Sequence, residues 1–339
     1  MTQVREEPLQ TIRARAPVRF CDLGGWTDTR IVPSGNVLNF TASLYTHVTL
    51  QVGAFAGITI ESFDTDEQEQ IRDIRQIEYN SVLDLFKAAV KRSGIKRGVR
   101  ILVRSDAPPG SGLGSSAALG VATMAALAHY LQWHLLPYEI ARESQALEVE
   151  ELGLECGVQD QLASAYGGVN YMEVNYPHAR VSPVPLDTAT QCELEDRFVL
   201  VYTGRSHFSS EMHQKVISEY EAGANVAQFK KLAECAVRSK EALLSGDLDA
   251  FAELMNDNWT AQKALHPDIT NAEIERLHED TFAAGALGFK ANGAGGGGTV
   301  TILAQRNKDH LVRRAVEALG MTVLPSKLDA TGLRVWETR

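Results

Sequence analysis

Hydrophobic and polar positions along this chain follow two spacings, and the switches between them mark out the elements. Residues 12–60 alternate with a β period, as in Ile12-Arg13-Ala14-Arg15-Ala16 and Tyr45-Thr46-His47-Val48-Thr49-Leu50-Gln51-Val52, with breaks at Gly24-Gly25 and Pro33-Ser34-Gly35. Over Ser81–Ser93 the spacing becomes helical, placing Val82, Leu85, Phe86, Ala89 and Val90 on one face. A strand-like run, Val99–Arg104, enters a glycine-rich stretch, after which Leu119, Val121, Met124, Leu127 and Leu131 recur at helical intervals. Pro137–Leu152 predicts a helix opened by proline and closed by Gly153, and another starts near Val158 and stops at Gly167-Gly168. Strands are predicted at Val169–Val174 and Phe198–Tyr202. The stretch 208–285 is strongly helical, including Gln228–Leu244 and Leu248–Lys263. A second glycine-rich loop, a strand at Thr299–Leu303, a helix at His310–Leu319 and short strands at Thr322–Leu324 and Leu333–Trp336 complete the pattern. This mixed order predicts α+β domains rather than a doubly wound sheet. A length of 339 residues suggests two domains, 1–190 and 191–339, joined within Leu186-Asp187-Thr188-Ala189-Thr190.

The stretch Ser105-Asp106-Ala107-Pro108-Pro109-Gly110-Ser111-Gly112-Leu113-Gly114-Ser115-Ser116-Ala117-Ala118 joins a strand to a helix start. Its glycines let the backbone approach an anion, and the free N–H groups of the helix start point toward it. Ser115 and Ser116 fall where a hydroxyl can cap the helix or ligate magnesium between phosphates. The same loop also reads as an ordinary turn with a good cap. It is not a Walker A loop, because Ser115 stands where that loop needs lysine. A Rossmann loop usually follows the first strand of its unit, and this one follows about a hundred residues.

Composition changes the picture in two ways. The net charge of −10 argues against a nucleic-acid or anionic-membrane surface, so a polyanionic ligand needs helix N-termini, a metal and a few basic residues. No apolar run is long enough to predict a membrane span, and the polar, acidic first ten residues predict no signal peptide. Cys21, Cys156, Cys192 and Cys235 form no CxxC pair, which predicts reduced thiols in a cytoplasmic protein.

The run Pro108–Ala117 closely resembles the second motif of the GHMP kinases (galactokinase, homoserine kinase, mevalonate kinase, phosphomevalonate kinase), Pro-x-Gly-x-Gly-Leu-Gly-Ser-Ser-Ala. Two further motifs resemble the same family. Arg15-Ala16-Pro17-Val18-Arg19 followed by Gly24, Gly25, Trp26, Thr27 and Asp28 is similar to the first motif of its sugar kinases, and Lys290-Ala291-Asn292-Gly293-Ala294-Gly295-Gly296-Gly297-Gly298 to the third. A fourth stretch, Glu148 to Gln161 with Gly157-Val158-Gln159-Asp160-Gln161, resembles sugar kinases with Gly-x-x-Asp-Gln followed by Gly-Gly. Galactokinases carry Glu-His where Gly25-Trp26 stand here, so the first motif looks instead like that of fucokinases, arabinose kinases and heptose-7-phosphate kinases.

The resemblance implies a two-domain GHMP kinase fold, with an N-terminal domain like domain 2 of ribosomal protein S5 and a C-terminal ferredoxin-like α/β sandwich. It implies ATP and Mg2+ as cofactors and γ-phosphoryl transfer to a sugar hydroxyl, with the anomeric one expected. Pro108, Gly110, Ser111, Gly112, Leu113, Gly114, Ser115, Ser116 and Ala117, with Lys290, Gly293 and Gly295, are then the ATP site. Ser115, Ser116 and Glu148 hold the metal, Asp160 serves the acceptor hydroxyl, and Arg19 supports it. Gly25, Trp26, Thr27 and Asp28 face the substrate. Arg205 and His207, after the Tyr202 strand, could bind a sugar hydroxyl or a distal phosphate, or cap a helix. On their residues alone, Asp28 reads as well as a turn cap, Asp160 as a first-turn acid and Glu148 as a solvated helix face. The expected substrate is a heptose 7-phosphate or a fucose-like sugar; a uronic acid, arabinose, galactose, mevalonate or a non-catalytic sugar sensor are the alternatives. The partners are this small molecule and ATP, with no nucleic acid and no membrane, and a homodimer is allowed for.

Overall fold

In the computed structural model, which describes residues 10–96, 98–205 and 209–338, two long antiparallel strands organise the first half. They are β1 (Gln10–Leu23) and β2 (Gly35–Val52), followed by β3 (Ile58–Ser62), β4 (Glu67–Ile71), α1 (Asp84–Ser93), β5 (Val99–Ser105) and α2 (Ser115–Tyr130). Next come α3 (Pro137–Ala146), one π-helical turn at Leu147–Glu151, α4 (Gln159–Tyr166), β6 (Val169–Asn175) and β7 (His178–Pro183). The second half runs α5 (Thr188–Arg197), β8 (Phe198–Tyr202), α6 (Ser209–Glu221), α7 (Val226–Leu244) and α8 (Leu248–Lys263). It closes with α9 (Ala272–Ala283), β9 (Ala286–Ala291), β10 (Thr299–Ala304), α10 (Asp309–Ala318), β11 (Thr322–Val323) and β12 (Arg334–Thr338).

Among the described residues, eight strands form the first sheet in the order β12-β1-β2-β5-β3-β4, with β6 pairing β2 and β7 pairing β6. The C-terminal part of β2 pairs β5 and its N-terminal part pairs β6, so one strand spans the whole layer. The second sheet is ordered β11-β8-β10-β9. Numbered within its own half this is 4-1-3-2, the ferredoxin-like arrangement, and the fold is the expected two-domain α+β one. Helix α2 carries Ala, Gly and Val on almost every face and is buried from Ala117 to Ala128 except at half-buried Leu119, against β1 and β2 on one side and α1, α3 and α4 on the other. The two halves share a core: Phe20 and Phe40 of the first sheet meet Phe198 of β8 edge to face at 5.4 Å, and Phe251 of α8 meets Phe40 at 5.7 Å.

The structure departs from the pattern reading in four places. The stretch expected to join the domains is helix α5, whose Asp187 cap accepts from the Thr190 N–H at 2.8 Å. The helix expected to reach Leu152 ends at Ala146 and widens into the π turn. Strands β4 and β7 are too polar to register as strands, and the buried strand β9 directly follows the stretch read as helical to 285. Finally, β12 pairs β1 (Thr11 opposite Thr338), so the last strand, although it falls within 191–339, belongs to the first sheet. No helix among the described residues is long and apolar enough to cross a membrane.

Candidate active site

β1 does not stay regular. Its register against β2 slips between Phe20 and Leu23, and Cys21 takes φ +50°. Such a bulge re-aims side chains, and here both Arg19 and Asp22 face one cleft of about 290 Å³. The cleft lies over the N-terminus of α2 and is also lined by Gly110, Gly112, Gly114, Ser115, Ser116, Ala117, Glu148, Asp160, Gly293 and Ala294.

At the phosphate-like end, Gly114 (φ +71°) is the N-cap residue of α2, with no side-chain cap. A Cβ there would sit 3.0 Å from Asp160 Oδ2. Neither Ser115 nor Ser116 caps the helix, contrary to one of their expected roles. The first-turn N–H groups are left for an anion. Ser115 Oγ is buried with no partner in the protein. Ser116 Oγ donates to Glu148 Oε1 at 3.0 Å, and Gln161 Nε2 donates to Glu148 Oε2 at 2.8 Å. Glu148 is therefore not a solvated residue: it is buried, and burial raises its pKa despite bonds from Cys156, Ser116 and Gln161. An unpartnered hydroxyl and a buried carboxylate beside a helix N-terminus with no side-chain cap fit a hard cation such as magnesium. Among the described residues no three His, Cys, Asp or Glu side chains cluster to hold a metal alone. Phosphates and water would complete the shell.

Toward the N-terminus of α4, Arg19 grips Asp160 with both arms: Nε reaches Oδ1 at 2.8 Å and Nη2 reaches Oδ2 at 3.1 Å. Nη1 donates to the Gly112 carbonyl, and the Arg19 N–H to Leu113 O at 3.0 Å. Arg19 is 4% exposed. Burial opposes its charge, but Asp160, Asp22 and Asp28 outweigh it and hold the guanidinium protonated. Asp160 occupies the first turn of α4 as expected. Asp28, 2% exposed, accepts from the Val158 N–H at 2.9 Å and the Gln159 N–H at 3.0 Å. Burial raises its pKa to about 6, the Gln159 N–H lowers it and Asp160 raises it further.

Several expected site residues sit elsewhere. Lys290 does not line the cleft: it is 1% exposed, and its Nζ lies 3.0 Å from Asp22 Oδ1. Burial would raise the Asp22 pKa, but Lys290 and Arg19 reverse that and lower it. Asp22 also accepts from the Gly293 N–H at 3.2 Å, so the pair fastens the third motif to the first. Asp22 was missed because its lysine lies 268 positions away and the bulge hides which way it faces.

Gly293 lines the cleft; Gly295 packs instead against Ile269. Pro108, Ser111 and Leu113 support the loop from behind: Pro108 O accepts from the Ser111 N–H, Ser111 O from Thr299 Oγ1, and Leu113 is fully buried. Trp26 lines the cleft, whereas Gly25 and Thr27 do not. Thr27 Oγ1 donates to Gly24 O at 2.7 Å and accepts from the Asn36 N–H at 3.1 Å, closing the turn. Arg205 is also outside the cleft, with a side chain 66% exposed and paired to Glu273 at 2.6 Å. His207 lies outside the described residues.

Comparison with known proteins places the chain in a family. The model of the GHMP kinases N terminal domain matches residues 80–168, and that of the GHMP kinases C terminal domain matches 239–320. The chain is 29% identical over 337 residues to D-glycero-alpha-D-manno-heptose 7-phosphate kinase of Campylobacter jejuni, covering 97% of this chain and 99% of that one. It is 30% identical over 325 residues to the bifunctional fucokinase/GDP-fucose pyrophosphorylase of Arabidopsis thaliana, covering 88% of this chain and 30% of that longer enzyme. The crystal structure of a D-glycero-D-manno-heptose 1-phosphate kinase from Bacteroides thetaiotaomicron superposes with a TM-score of 0.80 at 27% identity, covering 97% and 99% of the two chains. Two family matches spanning just over half of the residues, on a fold shared with a solved heptose kinase, make this chain a phosphotransferase of the GHMP kinase superfamily, in its sugar-kinase branch.

Proposed function

We propose that the protein transfers the γ-phosphoryl group of ATP to the anomeric hydroxyl of a heptose 7-phosphate in the cytoplasm. The observation that carries this reading is the near end-to-end similarity to a heptose 7-phosphate kinase. The cleft supports a hydroxyl acceptor: Asp160 lines it and is a carboxylate that can accept a hydrogen bond from a sugar hydroxyl.

The chemistry needs little covalent help, only an aligned hydroxyl and compensation of charge. The N–H groups at the start of α2 and the glycines around them hold the phosphates. Ser115, Ser116 and Glu148 would hold magnesium, which would supply charge neutralisation for the transferring phosphoryl group. Asp160 accepts the hydrogen bond of the attacking hydroxyl. As the new P–O bond forms and the bond to the bridging oxygen breaks, the proton passes to the Asp160 carboxylate and ADP leaves. Arg19 fixes both oxygens of that carboxylate and ties them to the phosphate loop through Gly112 O, which keeps donor and acceptor in register.

The test is ADP release with MgATP over a panel of heptose 7-phosphate, fucose, arabinose, glucuronate, galactose and mevalonate, with the product phosphate located by NMR. Heptose 7-phosphate is expected to give the highest kcat/KM and a 1,7-bisphosphate. Faster turnover of fucose, the reading favoured by the plant fucokinase, would replace it.

A further inference from the structure

We infer that Asp28 is a positioning residue: from outside the helix it caps α4, and the cap sets Asp160 against Arg19 and the phosphate loop. The inference rests on the sugar-kinase reading of Asp160. It departs from the expectation that Asp28 acts chiefly as a ligand for the sugar.

Helix α4 brings no cap of its own. The residue in its N-cap position is Val158, whose side chain can accept nothing. A helix leaves its first N–H groups unsatisfied, and here two of them converge on one oxygen. Val158 N and Gln159 N donate to Asp28 Oδ2 at 2.9 and 3.0 Å. The carboxylate comes from 130 positions upstream, on the turn after β1. It reaches this spot because position 157 is glycine: a Cβ there would lie 1.9 Å from Asp28 Oδ2. Oδ2 is thus committed to the backbone. Oδ1, 3.5 Å from Gln159 Nε2, is the oxygen left toward the cleft.

Asp160 directly follows Gln159 in the helix, so the pair of N–H bonds fixes the backbone at its doorstep. Arg19 fixes the same residue from the side-chain end. The groups whose charges act on Asp28 are Asp160 of α4, Arg19 of β1, Cys156 of the loop before α4 and Tyr176 in the turn after β6. A carboxylate buried beside another carboxylate is a costly cap, and an isolated structural cap could be made on the surface at less cost. Its placement makes sense where the helix start must be aimed to a fraction of an ångström.

The test uses Asp28→Ala, which removes both acceptor oxygens, and Asp28→Asn, which keeps one. Amide hydrogen exchange of the whole protein, with no substrate present, reads the cap directly. Exchange at Val158 and Gln159 should accelerate at least about tenfold in Asp28→Ala and stay near wild type in Asp28→Asn. On the best acceptor of the panel, kcat of Asp28→Ala should fall about 100-fold with acceptor KM within about threefold, and Asp28→Asn should recover most of the loss. Gly157→Ala, which drives a methyl into the same carboxylate, should reproduce the kcat loss and serves if Asp28→Ala does not fold. Unchanged exchange, with acceptor KM raised tenfold and kcat intact, would make Asp28 a direct ligand and overturn the inference. Faster exchange with kcat intact would sever the cap from Asp160 and overturn it as well. If wild-type protein turns over no sugar, the proposed function fails, and the exchange result still decides the cap.

Discussion

Removing Lys290 separates two accounts of what that lysine does. The family resemblance implies a cation for the nucleotide; the structure makes it a strut, with Nζ 3.0 Å from Asp22 Oδ1 and side chains 1% and 2% exposed. Lys290→Met fills the space and deletes the charge, leaving Asp22 buried with Arg19 as its remaining cation. Breaking one side of a buried pair costs about 3–5 kcal/mol, because the other charge stays desolvated. At roughly 2 °C per kcal/mol for a large domain, the thermal midpoint should fall by about 6–10 °C. The double variant Lys290→Met/Asp22→Asn removes both charges and keeps an oxygen for the Gly293 N–H. It should regain most of the loss, to within about 1–2 kcal/mol of wild type. The assay is thermal unfolding of the four proteins of the cycle, beside nucleotide affinity by calorimetry. Additive midpoints, or a Lys290→Met protein as stable as wild type that binds ATP tenfold more weakly, would refute the strut and restore the phosphate contact.

Three further outcomes are expected. Asp160→Asn should lower kcat by about 100-fold or more with ATP affinity little changed, measured by ADP release and calorimetry; undiminished turnover would remove Asp160 from the reaction. Glu148→Gln should raise the half-saturating metal concentration at least about tenfold, read by Mn2+ binding to the ADP complex as well as by activity. Asp28 should make the fold less stable as pH rises. Its pKa is raised from 3.8 to about 6, so the folded state holds the proton more tightly; stability falls between about pH 4 and 6 by about 3 kcal/mol from this group and is level outside that window. Asp28→Asn should therefore melt above wild type at pH 8, with the gap closing toward pH 4.

The glycine-rich loops, the α+β order and the first-turn place of Asp160 were readable because each is a local pattern: glycines before helical spacing, or an acid just inside a helix start. What joins those pieces was not. Alternation along β1 assigns faces by parity, and the bulge between Phe20 and Leu23 breaks parity just where Arg19 and Asp22 enter the site. Lys290 looked like a free cation because nothing near it in sequence is acidic; its partner arrives from another layer. Arg205 looked available for the same reason, since Glu273, which pairs with it, is 68 positions on. Helix α5 passed for a linker because its Thr- and Glu-rich sequence has a narrow apolar face, with Leu194 its one fully buried apolar side chain among described residues.

The four phenylalanines that bridge the sheets have a consequence for assembly and engineering. Phe20 and Phe40 find their edge-to-face partners on β8 and α8, so neither half can close its own interior alone. Either half expressed by itself would carry a wet aromatic face and a tendency to aggregate. Chimeras that exchange the C-terminal half between related kinases must therefore carry over the matching aromatic surface, whichever acceptor the graft is meant to bring.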